Sequence, residues 1–421
     1  MAGPLAGVKI LDCTSVVLGP WASQQIADFG ADVIKIEAPE GDTTRQLGPR
    51  RNEGMAAFYL GCNRNKRSIV LDLKTDAGRA ALFKMAETAD VIMHNYRPEP
   101  AKRLGVSYEA FQKINPKIVY LATYGYRADG PLGAKAAYDD IIQAGTGFTM
   151  LQTVVSADGS PRFLPTIVCD KTSSNGVVSA LLAALFERER SGKGQAVEVP
   201  MYETLVSFVM VEHLYGETFV PKIEGAGYKR ILSKERRPYP SKDGYFCLLP
   251  YTDGHWREFC ELVGRPDIIK DPRFASLQIR LANIEVVYST LAEVCKTRTN
   301  AEWIKLLEKA NVPHGPVNTL EDLLTDPQLE ATGYWHEMDH PTEGRIRMPG
   351  IAPRFSRTKP EITRHQPMLG EQSVEILQEH GFSAAQIETM LATGATRDGR
   401  KGAKVVGATK PAAKKAAKKP A

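Results

Sequence analysis

Cysteine is scarce and scattered in this sequence: Cys13, Cys62, Cys169, Cys247, Cys260 and Cys295 form no C-x-x-C pair and sit mostly in apolar surroundings. That usage excludes a disulfide scaffold and a zinc knuckle, and it reads as reduced thiols in a cytoplasmic protein. The eight histidines do not cluster, so no metal is expected. No stretch approaches the roughly 18 apolar residues of a membrane span. The amino-terminal MAGPLAGVKILD has no charged segment leading into a long apolar one, so neither a membrane location nor a secretory leader is expected. The loop after the first strand-like run reads SVVLGPW rather than G-x-G-x-x-G, which argues against a dinucleotide-binding dehydrogenase. G-x-x-x-x-G-K-[ST], G-x-S-x-G and H-E-x-x-H are absent as well.

What is present is the composition of an ordinary globular protein of 421 residues, 43% hydrophobic and 24% charged, long enough for two domains. The net charge of +5 misleads. Residues 397–421 hold nine Lys and Arg against the single acid Asp398, and setting these aside leaves 45 basic against 48 acidic residues. The body is therefore slightly acidic and offers no basic face for nucleic acid. The Lys/Ala/Pro-rich tail, with almost nothing to bury, is expected to be a disordered, solvated appendage; weak contact with nucleic acid or an anionic surface is the alternative.

GVKILDCT, DVIKIEAP, SIVLDL, DVIMHN, KIVYLATYGY and QAVEVPM read as strands, and WASQQIADFGA and TDAGRAALFKMAETA as helices between them, the latter with Thr75 as N-cap. Continuous apolar strands alternating with helices predict an α/β protein with a doubly wound parallel sheet. Ligands of such sheets lie at the carboxyl ends of the strands, here residues 15–19, 37–42, Lys74, 94–97 and 124–127. The Pro- and charge-rich stretch at 220–245 reads as a linker to a smaller helical domain. Asn63, Arg64, Asn65, Lys66 and Arg67, with Lys74, Arg97, Lys102 and Arg103, either grip phosphates or form solvated surface runs.

Residues 165–176 read PTIVCDKTSSNG. The apolar run 166–169 is expected to be a buried strand that stops at Asp170, where a long helix begins. Asp170 either caps that helix or, with Thr172, Ser173 and Ser174 available as caps, is free for other work. The positive end of the helix would favour its ionised form. An ionised carboxylate facing a pocket is a nucleophile towards an activated acyl group. Cys169 falls on the alternate face of the run and is expected in the core. His94 and His314 have no partner that the sequence reveals.

LDCTSVVLGPWASQQIADFGADVIKIEAPEGDTTR, NRNKRSIVLDLKTDAGR, ADVIMHNYRPEPAKRLG, YGYRADGPLG and CDKTSSNGVVSALLAALFERERSGKGQ, with VPHGPVNTLEDLLTDPQ and LGEQSVEIL further on, resemble the class III CoA transferases, the CaiB/BaiF group that includes formyl-CoA and carnitine CoA transferases. The resemblance runs from about residue 4 to residue 380. It implies a Rossmann-like large domain over 1–220 completed by about 330–395, a smaller α+β domain over 225–325, the tail at 397–421, and an interlocked, ring-like homodimer. It implies that Asp170 is the nucleophile, that acyl-CoA and a small carboxylic acid are the substrates, and that no metal takes part. Coenzyme A would lie on Val16, Val17 and Leu18, with Leu71, Lys74 and Asn95 near the nucleotide and Arg97 and Arg103 near phosphate. Asp139 would either orient the nucleophile's loop or position a CoA group, the alternative being an ordinary acid at a helix start.

Two departures narrow the expectation. Val17 stands where formyl/oxalate members often carry a polar residue such as Gln, so their substrates do not transfer to this chain. Tyr138 stands where the α-methylacyl-CoA racemase branch carries a His, so a two-base proton exchange loses one partner. CoA transfer is the favoured reading, with a racemase-like enzyme or a non-catalytic CoA-binding protein as alternatives.

Overall fold

The computed structural model describes residues 3–401, and the tail expected from residue 397 lies outside the described residues from 402 onward. Its first residues are tied down: the Gly399 N–H donates to the Gly370 carbonyl at 3.0 Å, and Arg400 pairs with Glu375 at 2.9 Å.

Strand β1 (Lys9–Cys13) leads into helix α1 (Leu18–Asp28), then into β2 (Asp32–Glu37), β3 (Lys66–Val70), β4 (Val91–His94), β5 (Val119–Tyr124) and β6 (Ala196–Pro200). Every pairing is parallel, in the order β3-β2-β1-β4-β5-β6, with Leu11 opposite both Ile34 and Ile92. All four residues of β4 and all five of β3 are buried, as a sheet covered on both faces requires. The chain leaves β1 on one side and β4 on the other, and the crevice at this reversal is where such sheets bind ligands. One face carries Leu11, Ile34, Ile69 and Ile92 against Ile376, Leu377 and Ile387 of the carboxyl-terminal helices Ser373–Glu379 and Ala384–Ala392. The helix Asp76–Ala86 starts as expected, with the Thr75 hydroxyl accepting the Gly78 N–H.

The chain divides into two compact units, Met1–Thr146 with Pro165–Val206 and Glu330–Ala421, and Gly147–Leu164 with Ser207–Leu329. The first holds the six-stranded sheet and the antiparallel pair Trp335–His340 and Gly344–Pro349. The second holds a three-stranded antiparallel sheet, Tyr239–Pro240, Tyr245–Leu248 and His314–Pro316. Its core gathers Phe246, Trp256, Phe259 and Trp303, and Thr252 and Thr299 open two of its helices with reciprocal capping bonds. No helix among the described residues is long and apolar enough to cross a membrane.

Candidate active site

The loop after β1 is fastened from two sides. The Ser15 N–H donates to Asn95 Oδ1 at 3.1 Å, and Asn95 Nδ2 returns a bond to the Ser15 carbonyl at 2.8 Å, so the ends of β1 and β4 are joined across the reversal. Val16 lies in the left-handed region, at φ 71°. For a β-branched residue that conformation costs about 1–3 kcal/mol and persists only where neighbours enforce it. Its N–H donates to both Asp42 oxygens at 3.2 Å. Burial alone would raise the Asp42 carboxyl, but Lys35, 2.9 Å away, and the hydrogen bonds from Thr44 together outweigh it and hold the group below its usual range. A Cβ on Gly19 would overlap the Thr14 side chain, so only glycine lets the first turn of α1 settle on this loop.

The acid at 170 does not end a strand. Residues 161–167 have no regular structure, and the long helix Val168–Ser191 begins two residues before Asp170. Thr172, Ser173 and Ser174 therefore lie inside the helix and cap nothing. The first helical N–H groups are taken instead by Asp139, buried at the start of the helix Asp139–Gly145: its Oδ1 accepts from Cys169 at 2.7 Å and from Asp170 at 3.1 Å. Gln143 Nε2 holds the other Asp139 oxygen at 2.6 Å. The Ser174 hydroxyl lies 2.8 Å from the Asp170 carbonyl oxygen and 2.6 Å from the Leu18 carbonyl oxygen and shares its single hydrogen between them, linking the long helix to the start of α1.

This arrangement reverses the expected electrostatics. Asp170 is 9% exposed, and burial first, then the Asp139 carboxylate, push its carboxyl up to about 7, against a lowering contribution from the Leu18 backbone N–H. The positive end of the helix does not favour an ionised Asp170, because Asp139 already occupies it. Cys169 is fully buried, and burial with the carboxylates of Asp139, Asp170 and Asp140 drives its thiol far up, so it belongs to the core.

Asp170 opens onto a cavity of about 250 Å³ at the carboxyl ends of β1, β4 and β5. Of the residues singled out in the sequence, Val16, Leu18, Asn95 and Arg97 line it together with Asp170. Val17 is buried beside it as the residue before α1, and Leu71 is packed in the sheet core. Lys74 and Arg103 are exposed and do not line it. Asp139 stands behind Asp170 rather than in the cavity. Sequence reasoning missed Lys135, which lines the cavity with Ala136 and Ala137, and the loop following β5 was the signal that pointed there. Tyr138, 69% exposed, lines it too.

The cationic run that leads into β3, and whose Lys66 and Arg67 are the strand's first two residues, is buried and paired within the fold rather than solvated. Arg64 pairs with Asp28 at 2.8 Å, Lys66 with Asp12 at 3.2 Å, and Arg67 with Asp32 at 2.6 Å, and all three cationic side chains are buried. These partners draw β3 two residues earlier than the apolar run alone suggests. His94 also has partners: its Nε2 lies 2.6 Å from the Tyr120 hydroxyl, its Nδ1 accepts the Tyr96 N–H, and burial pushes it down to about 4, so the ring is neutral. All six cysteines are free. No group of three or more His, Cys, Asp or Glu able to hold a metal ion occurs among the described residues.

A family model described as CoA-transferase family III matches residues 5–373. Mouse succinyl-CoA:glutarate CoA-transferase is 31% identical over 396 residues, covering 93% of this chain and 90% of that protein. Succinate–glutarate CoA-transferase of Agrobacterium fabrum is 33% identical, covering 89% and 95%. A CAIB/BAIF family protein from Brucella suis superposes with a TM-score of 0.74 at 30% identity, covering 90% of this chain and all of that one.

Proposed function

Because the chain belongs to CoA-transferase family III, we propose that it moves CoA from an acyl-CoA donor to a free carboxylic acid through a covalent intermediate on Asp170. The observation that carries this reading is a buried carboxylate, raised to about 7, opening onto a cavity at the carboxyl ends of the central strands. A more basic carboxylate is a stronger nucleophile, and half of it is ionised near neutral pH. Its oxygen attacks the thioester carbon, giving a mixed anhydride and releasing CoA thiolate. The thiolate attacks the aspartyl carbonyl, which expels the first acid as its carboxylate and leaves an aspartyl-CoA thioester. The second carboxylate then attacks that thioester, and the same two steps in reverse deliver the new acyl-CoA and regenerate Asp170. Thioester is exchanged for thioester throughout. The Leu18 N–H, facing the Asp170 carboxyl, is available to an oxyanion formed there.

The cavity is smaller than the roughly 300–1,000 Å³ that drug-sized ligands fill, so it suits the thioester end of acyl-CoA and not the nucleotide. Val16, Leu18 and Asn95 would line the pantetheine, and Arg97 with Lys135 would meet a phosphate or a second carboxylate. Val17, Leu71, Lys74 and Arg103 remain candidates for outlying parts of CoA. Asp139 orients Asp170 through the backbone N–H groups it accepts. Tyr138 at the cavity favours transfer over α-proton exchange, because a phenol replaces the imidazole that exchange would use. Similarity to succinyl-CoA:glutarate CoA-transferases makes succinyl-CoA with glutarate the first pair to assay. A cytoplasmic homodimer, with the interlocked subunits typical of the family, completes the reading.

The test is Asp170→Ala and Asp170→Asn. Both are expected to lower transfer by about a thousandfold or more, since neither side chain attacks a thioester. Near-normal turnover by either variant refutes the reading.

A further inference from the structure

Between β1 and α1 the backbone takes a turn that valine resists, and one carboxylate outside the cavity enforces it. Asp42 accepts the Val16 N–H through both oxygens while also capping the turn at 43–46 through the Thr44 N–H at 2.9 Å. Lys35 fixes both sides of the kink: its Nζ lies 2.9 Å from Asp42 Oδ2 and 2.9 Å from the Thr14 carbonyl, and both side chains are buried. Two residues beyond Val16, Leu18 opens α1, and through its carbonyl the Ser174 hydroxyl ties it to the backbone of Asp170. The course of residues 14–18 therefore sets how the first turn of α1 meets the nucleophile's helix. Neither Asp42 nor Lys35 lines the cavity.

We propose that Asp42 is a positioning residue for CoA transfer: paired with Lys35, it holds Val16 in the left-handed backbone and so fixes the start of α1 against Asp170. This rests on Asp170 as the nucleophile, and hydroxylamine labelling of Asp170 in the unaltered enzyme tests that premise separately. Glycine adopts left-handed backbone freely, so it removes the need for enforcement.

The experiment is a double-mutant cycle on the full chain, read as kcat at saturating succinyl-CoA and glutarate and as KM for the CoA donor. Asp42→Asn is expected to lower kcat by about tenfold or more, with KM changed by less than about threefold, as a misplaced reacting geometry does. In the Val16→Gly background the same change is expected to lower kcat by less than about threefold, because the constraint it relieves is gone. Equal kcat losses in the two backgrounds, or an Asp42→Asn enzyme with normal kcat, overturn the proposal. Should Asp42→Asn not fold, Lys35→Gln is read in the same cycle: rescue by Val16→Gly supports the proposal and equal losses overturn it.

Discussion

Asp170 is a carboxylate that the fold makes reluctant to ionise, and its chemistry and its effect on stability follow together. The acid limb of the kcat/KM profile is expected near pH 7, the value to which burial and Asp139 raise the group. Asp139→Asn keeps an acceptor for the Cys169 and Asp170 N–H groups but removes the facing charge, so the midpoint should fall below that of the parent. A midpoint that does not move assigns the limb to another group. Stability changes in the opposite sense to activity. The folded carboxyl titrates above its unfolded value of 3.8, so ionisation destabilises the folded state increasingly as pH rises from about 4 to about 7. Asp170→Asn is therefore expected to be more stable than the parent by about 2–4 kcal/mol at pH 8, with the gain vanishing near pH 4, as read by chemical denaturation at both values. That this residue stands at the mouth of a long helix was legible in the sequence, but the absence of a strand before it and its electrostatics were not, because Asp139, which holds the helix start, lies 31 residues away along the chain.

At the scale of elements, all six strands of the sheet could be read from continuous apolar runs, and the helix Asp76–Ala86 from its Thr75 cap. The run 166–169 deceived because its apolar residues have neither a period nor a length that separates a strand from a helix start, and the true cap comes from another segment. The charges at the start of β3 deceived for a related reason: Asp12, Asp28 and Asp32, which neutralise them, are invisible in the local pattern. That difference is testable. Arg64→Ala leaves Asp28 buried without its ion-pair partner and should cost about 3–5 kcal/mol of stability. At a temperature where the variant is folded, KM for acyl-CoA should be unchanged; a large rise in KM with little loss of stability would restore a phosphate role. Lys135→Ala, by contrast, removes a cation from the cavity itself and should raise KM for acyl-CoA or the acid by about tenfold while leaving stability within about 0.5 kcal/mol.

For the whole molecule, the parallel sheet, the reversal between β1 and β4, and the long helix that carries Asp170 converge on one cavity, with the proposed nucleophile at its wall. The proposed homodimer implies a particle of twice the 46.3 kDa chain mass, and light scattering at micromolar concentration that finds only the single-chain mass refutes it. The most direct measurement on the central claim is to incubate the enzyme with succinyl-CoA, quench with hydroxylamine and map the peptides by mass spectrometry. A hydroxamate on Asp170, formed only when acyl-CoA is present, is the expected result. Substrate-dependent modification at another residue, with Asp170 unlabelled during active turnover, would contradict it.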